Sequence, residues 1–440
     1  MPLGLIVIMA SRWQWSLTSL PLAKAGKQPL LVNRSVSRQP FPFISQRIAL
    51  PELSTDFCGI MKEREVDKTM SQQDLATLFS PIDIKGLEIK NRIIMAPMAL
   101  SLGFRSQRAR AFYLERARGG VGAIILPGTA VDILASDEAW GKSEALASFL
   151  QGLSSLVADI HDAGAKVGIQ LWHGFHFPAG LTGTQGELTA PSPVGEAREL
   201  TTAEIKNIIG KFAAAAAKAK EAGLDFVDIH GAHGYLLHRF FSPLDNQRSD
   251  KYGGSVRKRM TFALDCVKAV RQAVGRDYPL FWRLSAEEGV VGGITLAQSI
   301  KLALTLKEAG VDVIDVSYGR ALRQVMPSKK RPMGTYVPQA EAIKREVNIP
   351  IIAVGRINSP QLASAIISQN KADLVAIGRQ LIADPEWPRK AHEGRYDDIM
   401  YCDSCNKNCV RSIPEVKKAT ASEDLSLCNL NERAGKEWMV

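Results

Sequence analysis

The sequence predicts an α/β protein of the (β/α)8 barrel class, and three observations carry the prediction. Eight short runs rich in apolar and β-branched residues recur between residues 92 and 377. Longer stretches at helical period separate them, and such alternation implies parallel pairing through right-handed crossovers. Polar side chains collect where the runs end, which is the rim on which barrels carry their chemistry. An open doubly wound sheet is the competing architecture, but no G-x-G-x-x-G follows a strand to give it a dinucleotide fingerprint.

The runs, in order, are Arg92 to Met95, Val121 to Leu126, Lys166 to Leu171, Phe226 to His230, Pro279 to Leu284, Val313 to Ser317, Pro350 to Val354 and Leu374 to Ile377. The clearest helix between them covers Thr202 to Ala222. Thr201 and Glu204 stand at capping-box spacing, Ile205, Ile208, Ile209 and Phe212 repeat on one face, and Gly223 ends it. At the run ends stand Ala96-Pro97-Met98-Ala99, Gln170-Leu171-Trp172-His173 and His230-Gly231-Ala232-His233-Gly234-Tyr235. The fifth run carries Arg283, the seventh leads into Gly355-Arg356 and the eighth into Gly378-Arg379. Two Gly-Arg corners on adjacent strands, each just before a helix, suit a phosphate: bare backbone approaches the anion, helix N–H groups point at it and the guanidinium adds a charged fork. A turn with a solvated arginine is the plain alternative for either corner taken alone.

Composition excludes other classes. The chain has 440 residues, 46% hydrophobic and 23% charged, as expected of a soluble globular protein rather than a disordered, collagen-like or disulfide-dense one. The early apolar run Leu3 to Ala10 is far too short to span a bilayer, so no membrane association is expected. Of the formal charge of +10, residues 1–50 supply six Lys/Arg with no Asp or Glu. No basic stripe interleaved with aromatics appears, so no nucleic-acid partner is expected. The opening has the composition of a transit peptide, or of sequence translated upstream of a later start such as Met61 or Met70. Residues 1–69 are therefore read as an extension, 70–397 as the barrel and 398–440 as a tail. A cytoplasmic enzyme acting on a small molecule is expected, with homo-oligomerisation left open.

The stretches Asn91 to Met98, Gln170 to Gly174 and His230 to Ser255 resemble the old yellow enzyme family of FMN-dependent ene-reductases, over about Leu78 to Ala391. The resemblance implies FMN at the rim. Pro97, Met98 and Ala99 would line the flavin, with Gly128 beside it and Gln170 on its pyrimidine edge. Arg283 would stand near N1 and O2, where positive charge stabilises the anionic reduced ring. Gly355, Arg356, Gly378 and Arg379 would hold the phosphate. His230, itself near the flavin, and His233 would donate to a substrate carbonyl, while Tyr235 would protonate the α carbon of the alkene. NAD(P)H is the implied transient donor. An H-x-x-H pair can also bind zinc, but no third ligand stands nearby. His173 and His176 are expected to pack or orient neighbours, and His238 to be helical packing or surface. In several branches the position of Ala99 holds Cys or Thr, which hydrogen-bonds the flavin; alanine cannot, so the potential of those branches does not carry over.

Four of the six cysteines, Cys402-x2-Cys405-x3-Cys409 and then Cys428, fall within 27 residues. Four thiolates satisfy either a [4Fe–4S] cluster or tetrahedral zinc, and spacing does not choose between them. The run Gly394 to Cys409, with Cys428-Asn-Leu-Asn, resembles the iron–sulfur segment of the 2,4-dienoyl-CoA reductase and trimethylamine dehydrogenase branch. That likeness implies a cluster relaying electrons to or from a further flavin domain, here a partner flavoprotein. The chain departs from the branch in a longer Cys409–Cys428 interval. The FAD- and NAD-binding domains that follow the barrel there are not within these 440 residues. The loop Ser317-Tyr318-Gly319-Arg320-Ala321-Leu322 also lacks the histidine that assists proton donation in those reductases. Cys58 reads as a bystander and Cys266 as a buried helix residue. The expected function is hydride transfer from reduced flavin to an α,β-unsaturated carbonyl or thioester. The alternative is an electron-transfer or binding subunit of a larger redox complex, which would not turn over a simple enone with NAD(P)H in isolation. A phosphosugar aldolase or isomerase barrel would share the phosphate site, but the sixth strand offers no lysine for a Schiff base.

Overall fold

The chain is described by a computed structural model at residues 75–100, 102–135, 143–174, 188–409 and 426–439. The expected extension, with Met61, Met70 and Cys58, lies outside the described residues, as does His176. Eight strands close a barrel: β1 Ile93–Met95, β2 Ala123–Ala130, β3 Lys166–Trp172, β4 Phe226–Gly231, β5 Leu280–Ser285, β6 Val313–Ser317, β7 Ile351–Ala353 and β8 Leu374–Ile377. Every neighbouring pair is parallel, and β8 returns to β1 through Val375 opposite Ile93. The expected barrel is the observed one. No helix among the described residues is long and apolar enough to cross a membrane.

Strand limits shift where the backbone demands it. β2 runs on past Leu126 through Pro127, because a register shift between Leu126 and Thr129 absorbs the residue that has no N–H to give the ladder. β7 is cut to Ile351–Ala353, bounded by Pro350 before it and, after Val354, by Gly355 at φ +115°. The helix Thr202–Glu221 has its capping box, with Thr201 accepting from the Glu204 amide. It buries Ile205, Ile208 and Phe212, while Ile209 is only partly covered. Gly223 turns the chain at φ +89°.

The period of two within each strand sorts side chains between two compartments. Outward residues pack under the helices in one large cluster. Inward residues Ile94, Ala123, Ile125, Phe226, Phe281, Val313, Ile352 and Leu374 form a second cluster. Phe226 and Phe281 stack there with centroids 4.2 Å apart. The hairpin Ile82–Ile84 and Leu87–Ile89 adds Ile84, Leu87 and Ile89 to it, turning at Lys85 and Gly86 with φ of 54° and 82°. A dry apolar floor therefore lies under whatever the inward positions hold nearer the rim.

Beyond β8 the chain stays on the barrel. Gln380 donates from Nε2 to the Met400 carbonyl at 2.9 Å and accepts from the Cys402 amide at 2.8 Å, fixing the start of the cysteine segment. Near the end, Arg116 in the helix Gln107–Arg118 is fully buried and pairs with Glu437 at 2.6 Å, while Arg108 donates to the Gly435 carbonyl at 2.6 Å.

Candidate active site

Following β4, His233 at φ +61° and Gly234 at φ +79° are consecutive left-handed residues, and they fold the chain back on itself. Tyr235 then lies 4.7 Å from His230, ring centroid to centroid, and 4.7 Å from Trp172 at the end of β3. His230 and His233 stand edge to face at 4.9 Å. The three residues singled out in sequence are thus brought into one cluster.

Hydrogen bonds hold both rings, and for His230 they set the tautomer. The Ala232 amide donates to His230 Nδ1 at 3.3 Å, which leaves the proton of a neutral imidazole on Nε2. His233 Nε2 lies 2.7 Å from Ser317 Oγ in β6, and its backbone N–H donates to Ser285 Oγ in β5 at 3.1 Å. Ser285 passes its own proton to the Gly319 carbonyl at 2.7 Å, so it is a fixed acceptor for the turn. Burial first, and then the Arg283 charge, hold His230 well below the usual imidazole range. Burial, then His230 and Arg283, does the same to His233. Burial pushes Tyr235 up to about 12. At neutral pH the cluster is two neutral imidazoles and one phenol.

Beneath it the inward positions turn polar. Gln170 of β3 donates from Nε2 to Asp228 Oδ2 of β4 at 2.7 Å, and Arg283 Nη1 of β5 lies 3.0 Å from Asp315 Oδ2 of β6. Both aspartates are fully buried. The Arg283–Asp315 contact is an ion pair by distance but is misaligned as a hydrogen bond, so Arg283 Nη1 and Nε keep unused donors.

Around the rim, Pro97, Met98 and Ala99 are half-buried. A Cβ on Gly128 would lie 3.0 Å from Trp172 Cδ1 and 3.5 Å from Gln170 Oε1, and one on Gly378 would lie 3.1 Å from Met98 Sδ. Any side chain at these two positions would crowd the rim. The two Gly-Arg corners are not solvated turns. Arg356, at φ +54°, donates from Nε to Ser404 Oγ at 3.2 Å and from Nη1 to the Lys329 carbonyl at 3.1 Å. Arg379 donates from Nη1 to the Pro327 carbonyl at 2.9 Å and to Asn406 Oδ1. The cysteine turn therefore holds both arginines of the expected phosphate site.

Within that turn, the Ser404 amide lies 3.4 Å from Cys402 Sγ, and the Leu430 amide 3.4 Å from Cys428 Sγ. Burial raises the Cys409 thiol to about 11, opposed by Arg379 and assisted by the other three cysteines, which are near enough to act on it. All four are free thiols, and among the described residues no three His, Cys, Asp or Glu side chains are gathered closely enough to hold a metal ion. Residues 410–425, between Cys409 and Cys428, lie outside the described residues.

A family model described as NADH:flavin oxidoreductase / NADH oxidase matches residues 77–398. The chain belongs to that family. It is the old yellow enzyme family that the motifs resemble. A NADH oxidase of Thermoanaerobacter brockii is 44% identical over 383 residues, 82% of this chain and 56% of that protein. A NADPH dehydrogenase of a Geobacillus strain is 41% identical over 327 residues, 71% of this chain and 93% of its own length. Among solved structures, a 2-naphthoyl-CoA reductase complex matches with a TM-score of 0.72 at 28% identity, covering 83% of this chain and 58% of that one. The chain thus spans little more than half the length of the longer relatives and nearly all of the shorter.

In this family member, sequence reasoning assigned no role to Asp228, Asp315 or Ser285, nor to Ser317 and Trp172, which it placed only at run ends. The signal was present, because Asp228 and Asp315 interrupt the apolar strands Phe-Val-Asp-Ile-His and Val-Ile-Asp-Val-Ser at inward positions. His173 accepts no part in the cluster. It bonds the Gly174 carbonyl at 2.6 Å and lies 3.5 Å from Asp132. His238 is buried rather than surface. It accepts the Gly234 amide at Nδ1, 2.9 Å away, and so braces the left-handed turn. Cys266 is buried in the helix Thr261–Val274, as expected.

Proposed function

We propose that this chain is an FMN-dependent ene-reductase that uses NAD(P)H, with residues 70–397 as the flavin barrel. The observation that carries the reading is the convergence of His230, His233 and Tyr235 above Arg283, whose buried donors are unspent. The residues present fit FMN. Gly128 and Gly378 leave backbone where a side chain would crowd, and Pro97, Met98 and Ala99 border that space. Gln170 and Arg283 offer donors to a pyrimidine edge, and Gly355, Arg356, Gly378 and Arg379 would hold the phosphate. Bound there, FMN supplies the hydride once it has been reduced.

The protein's own part is to hold oxygen and deliver a proton. His230 donates from Nε2. In this reading Ser317 Oγ donates to Nε2 of His233, so that ring carries its proton on Nδ1 and donates from there. Two neutral donors on one carbonyl oxygen draw electron density from the conjugated alkene and make its β carbon the hydride acceptor. The Tyr235 hydroxyl gives its proton to the α carbon, so that C=C becomes CH–CH with one hydride and one proton consumed. A phenol raised to about 12 stays protonated through the working range.

The substrate class is an α,β-unsaturated carbonyl or thioester, and the names of the relatives support a nicotinamide donor. For the tail we propose that Cys402, Cys405, Cys409 and Cys428 take a [4Fe–4S] cluster, supported by the amide N–H groups directed at two of the sulfurs. Holding it would need the four sulfurs nearer one another than they stand here. Anaerobically purified protein should show a flavin spectrum, and iron and sulfide analysis should give about four of each per chain. Zinc without iron would replace the cluster reading. A colourless protein that takes up no FMN would end the whole proposal.

A further inference from the structure

The polar layer inside the barrel carries more than the flavin reading needs. It contains two carboxylates, Asp228 and Asp315, and one guanidinium, Arg283, in a compartment floored by Phe226, Phe281 and Val313. Among the described residues no other charge acts on the pair: Gln170 is neutral, and His230 and His233 above are held neutral by burial. Two acids against one arginine leave an excess negative charge in a buried core, and a buried carboxylate without a partner takes a proton instead. The hydrogen bonds agree. Asp228 uses only Oδ2, toward Gln170, while Asp228 Oδ1 and both Asp315 oxygens have no donor. One added proton on Asp228 Oδ1 supplies a donor where acceptors alone now stand.

We propose that Asp228 and Asp315 share one proton and act as a positioning pair: ionised Asp315 anchors Arg283, and protonated Asp228 holds Gln170, beneath the ring site. The inference rests on the proposed flavin site for its purpose, though not for its protonation state. Burial, then the Asp315 charge, raises Asp228 against Arg283 and the Gln170 hydrogen bond, and burial raises Asp315 against the pull of Arg283, in keeping with a retained proton. Held this way, the layer is neutral, and the guanidinium charge is left to face the rim.

Infrared spectroscopy of the full chain, with FMN bound and after FMN is stripped, tests the protonation. The wild type should show a protonated-carboxyl C=O stretch at pH 7 that shifts in D2O. Asp228→Asn and Asp315→Asn should each abolish it, because one acid against one arginine needs no proton. Affinity for FMN separates the two. Asp228→Asn mimics the protonated acid and should keep binding within about threefold, whereas Asp315→Asn deprives Arg283 of its anchor and should weaken it about thirtyfold. Absence of the band in the wild type, or its survival in either variant, overturns the shared proton. Unchanged FMN affinity in a folded Asp315→Asn protein overturns the positioning role. The wild-type spectrum decides even if a variant fails to fold. If the protein binds no FMN but shows the band, the flavin reading fails and the shared proton stands.

Discussion

Replacing Tyr235 with Phe removes one oxygen and little else. The ring is half-buried between Trp172 and His230, each 4.7 Å away, and Phe keeps both contacts. Deleting a hydroxyl should change stability by about 1 kcal/mol or less, so folding does not confuse the reading. Loss of a positioned general acid costs about 100- to 10,000-fold, or roughly 3–5 kcal/mol in the barrier of the step it serves. Only the alkene step needs that proton, because reduction of the flavin by NAD(P)H does not pass through an α carbon. Stopped-flow measurement of the two half-reactions separates them. Flavin reduction should stay within about threefold of wild type, while reoxidation by a simple enone should fall by at least about 100-fold. Since Tyr235 is raised to about 12, the wild-type reoxidation rate should not fall through deprotonation of this group below that pH. Equal losses in both half-reactions, or an unaffected reoxidation, refute the donor assignment.

Three further outcomes follow from the geometry. Ser317→Ala removes the 2.7 Å contact that holds the His233 ring. It should lower kcat/KM for the enone about tenfold, the worth of one such bond, with flavin content unchanged; full activity in steady-state assays would contradict it. Burial holds His238 down at about 3 against an ordinary 6.5, so below pH 6.5 the unfolded chain takes up a proton that the native state refuses. Stability should therefore be full above pH 6.5 and fall by about 1.4 kcal/mol per pH unit toward pH 3 from this group. Its 3.7 Å contact with Glu288 is too long for a hydrogen bond that would favour the charged ring. Denaturant titrations of His238→Asn should show a shallower acid slope. Glu437→Ala leaves the buried Arg116 with only the longer, partly exposed Glu115 contact as counter-charge and should cost about 3–5 kcal/mol. Glu115→Ala, which breaks a 3.4 Å pair with a half-exposed acid, should cost less than about 1 kcal/mol. Equal costs in chemical denaturation would show that burial does not set the difference.

The barrel was legible because its signal is local and repeated. Each strand announces itself by β-branched residues and each helix by its period and cap, as Thr201 and Glu204 do, and eight such units have few ways to close. The residues of the His230-to-Tyr235 motif were legible for the same reason, since they follow one strand in unbroken order. Strand limits were less so: Pro127 reads as a stop, and only the bulge on the neighbouring ladder lets β2 continue.

What the chain order could not supply is which side chains meet across strands. Asp228, Arg283 and Asp315 lie on three strands more than thirty residues apart, and their charge balance exists only once closure of the barrel puts them in one buried layer. Ser317 likewise reaches His233 only because β4 and β6 flank β5 with their inward residues level. The same holds for the Gly-Arg corners, which read as open phosphate forks, whereas the folded chain lays Ser404 and Asn406 of the cysteine turn against them. Sequence alone therefore determined the architecture and the kind of chemistry at the rim, because those depend on neighbours along the chain. Tertiary structure decided which polar groups are buried together and which partners they meet, because these depend on contacts between distant segments.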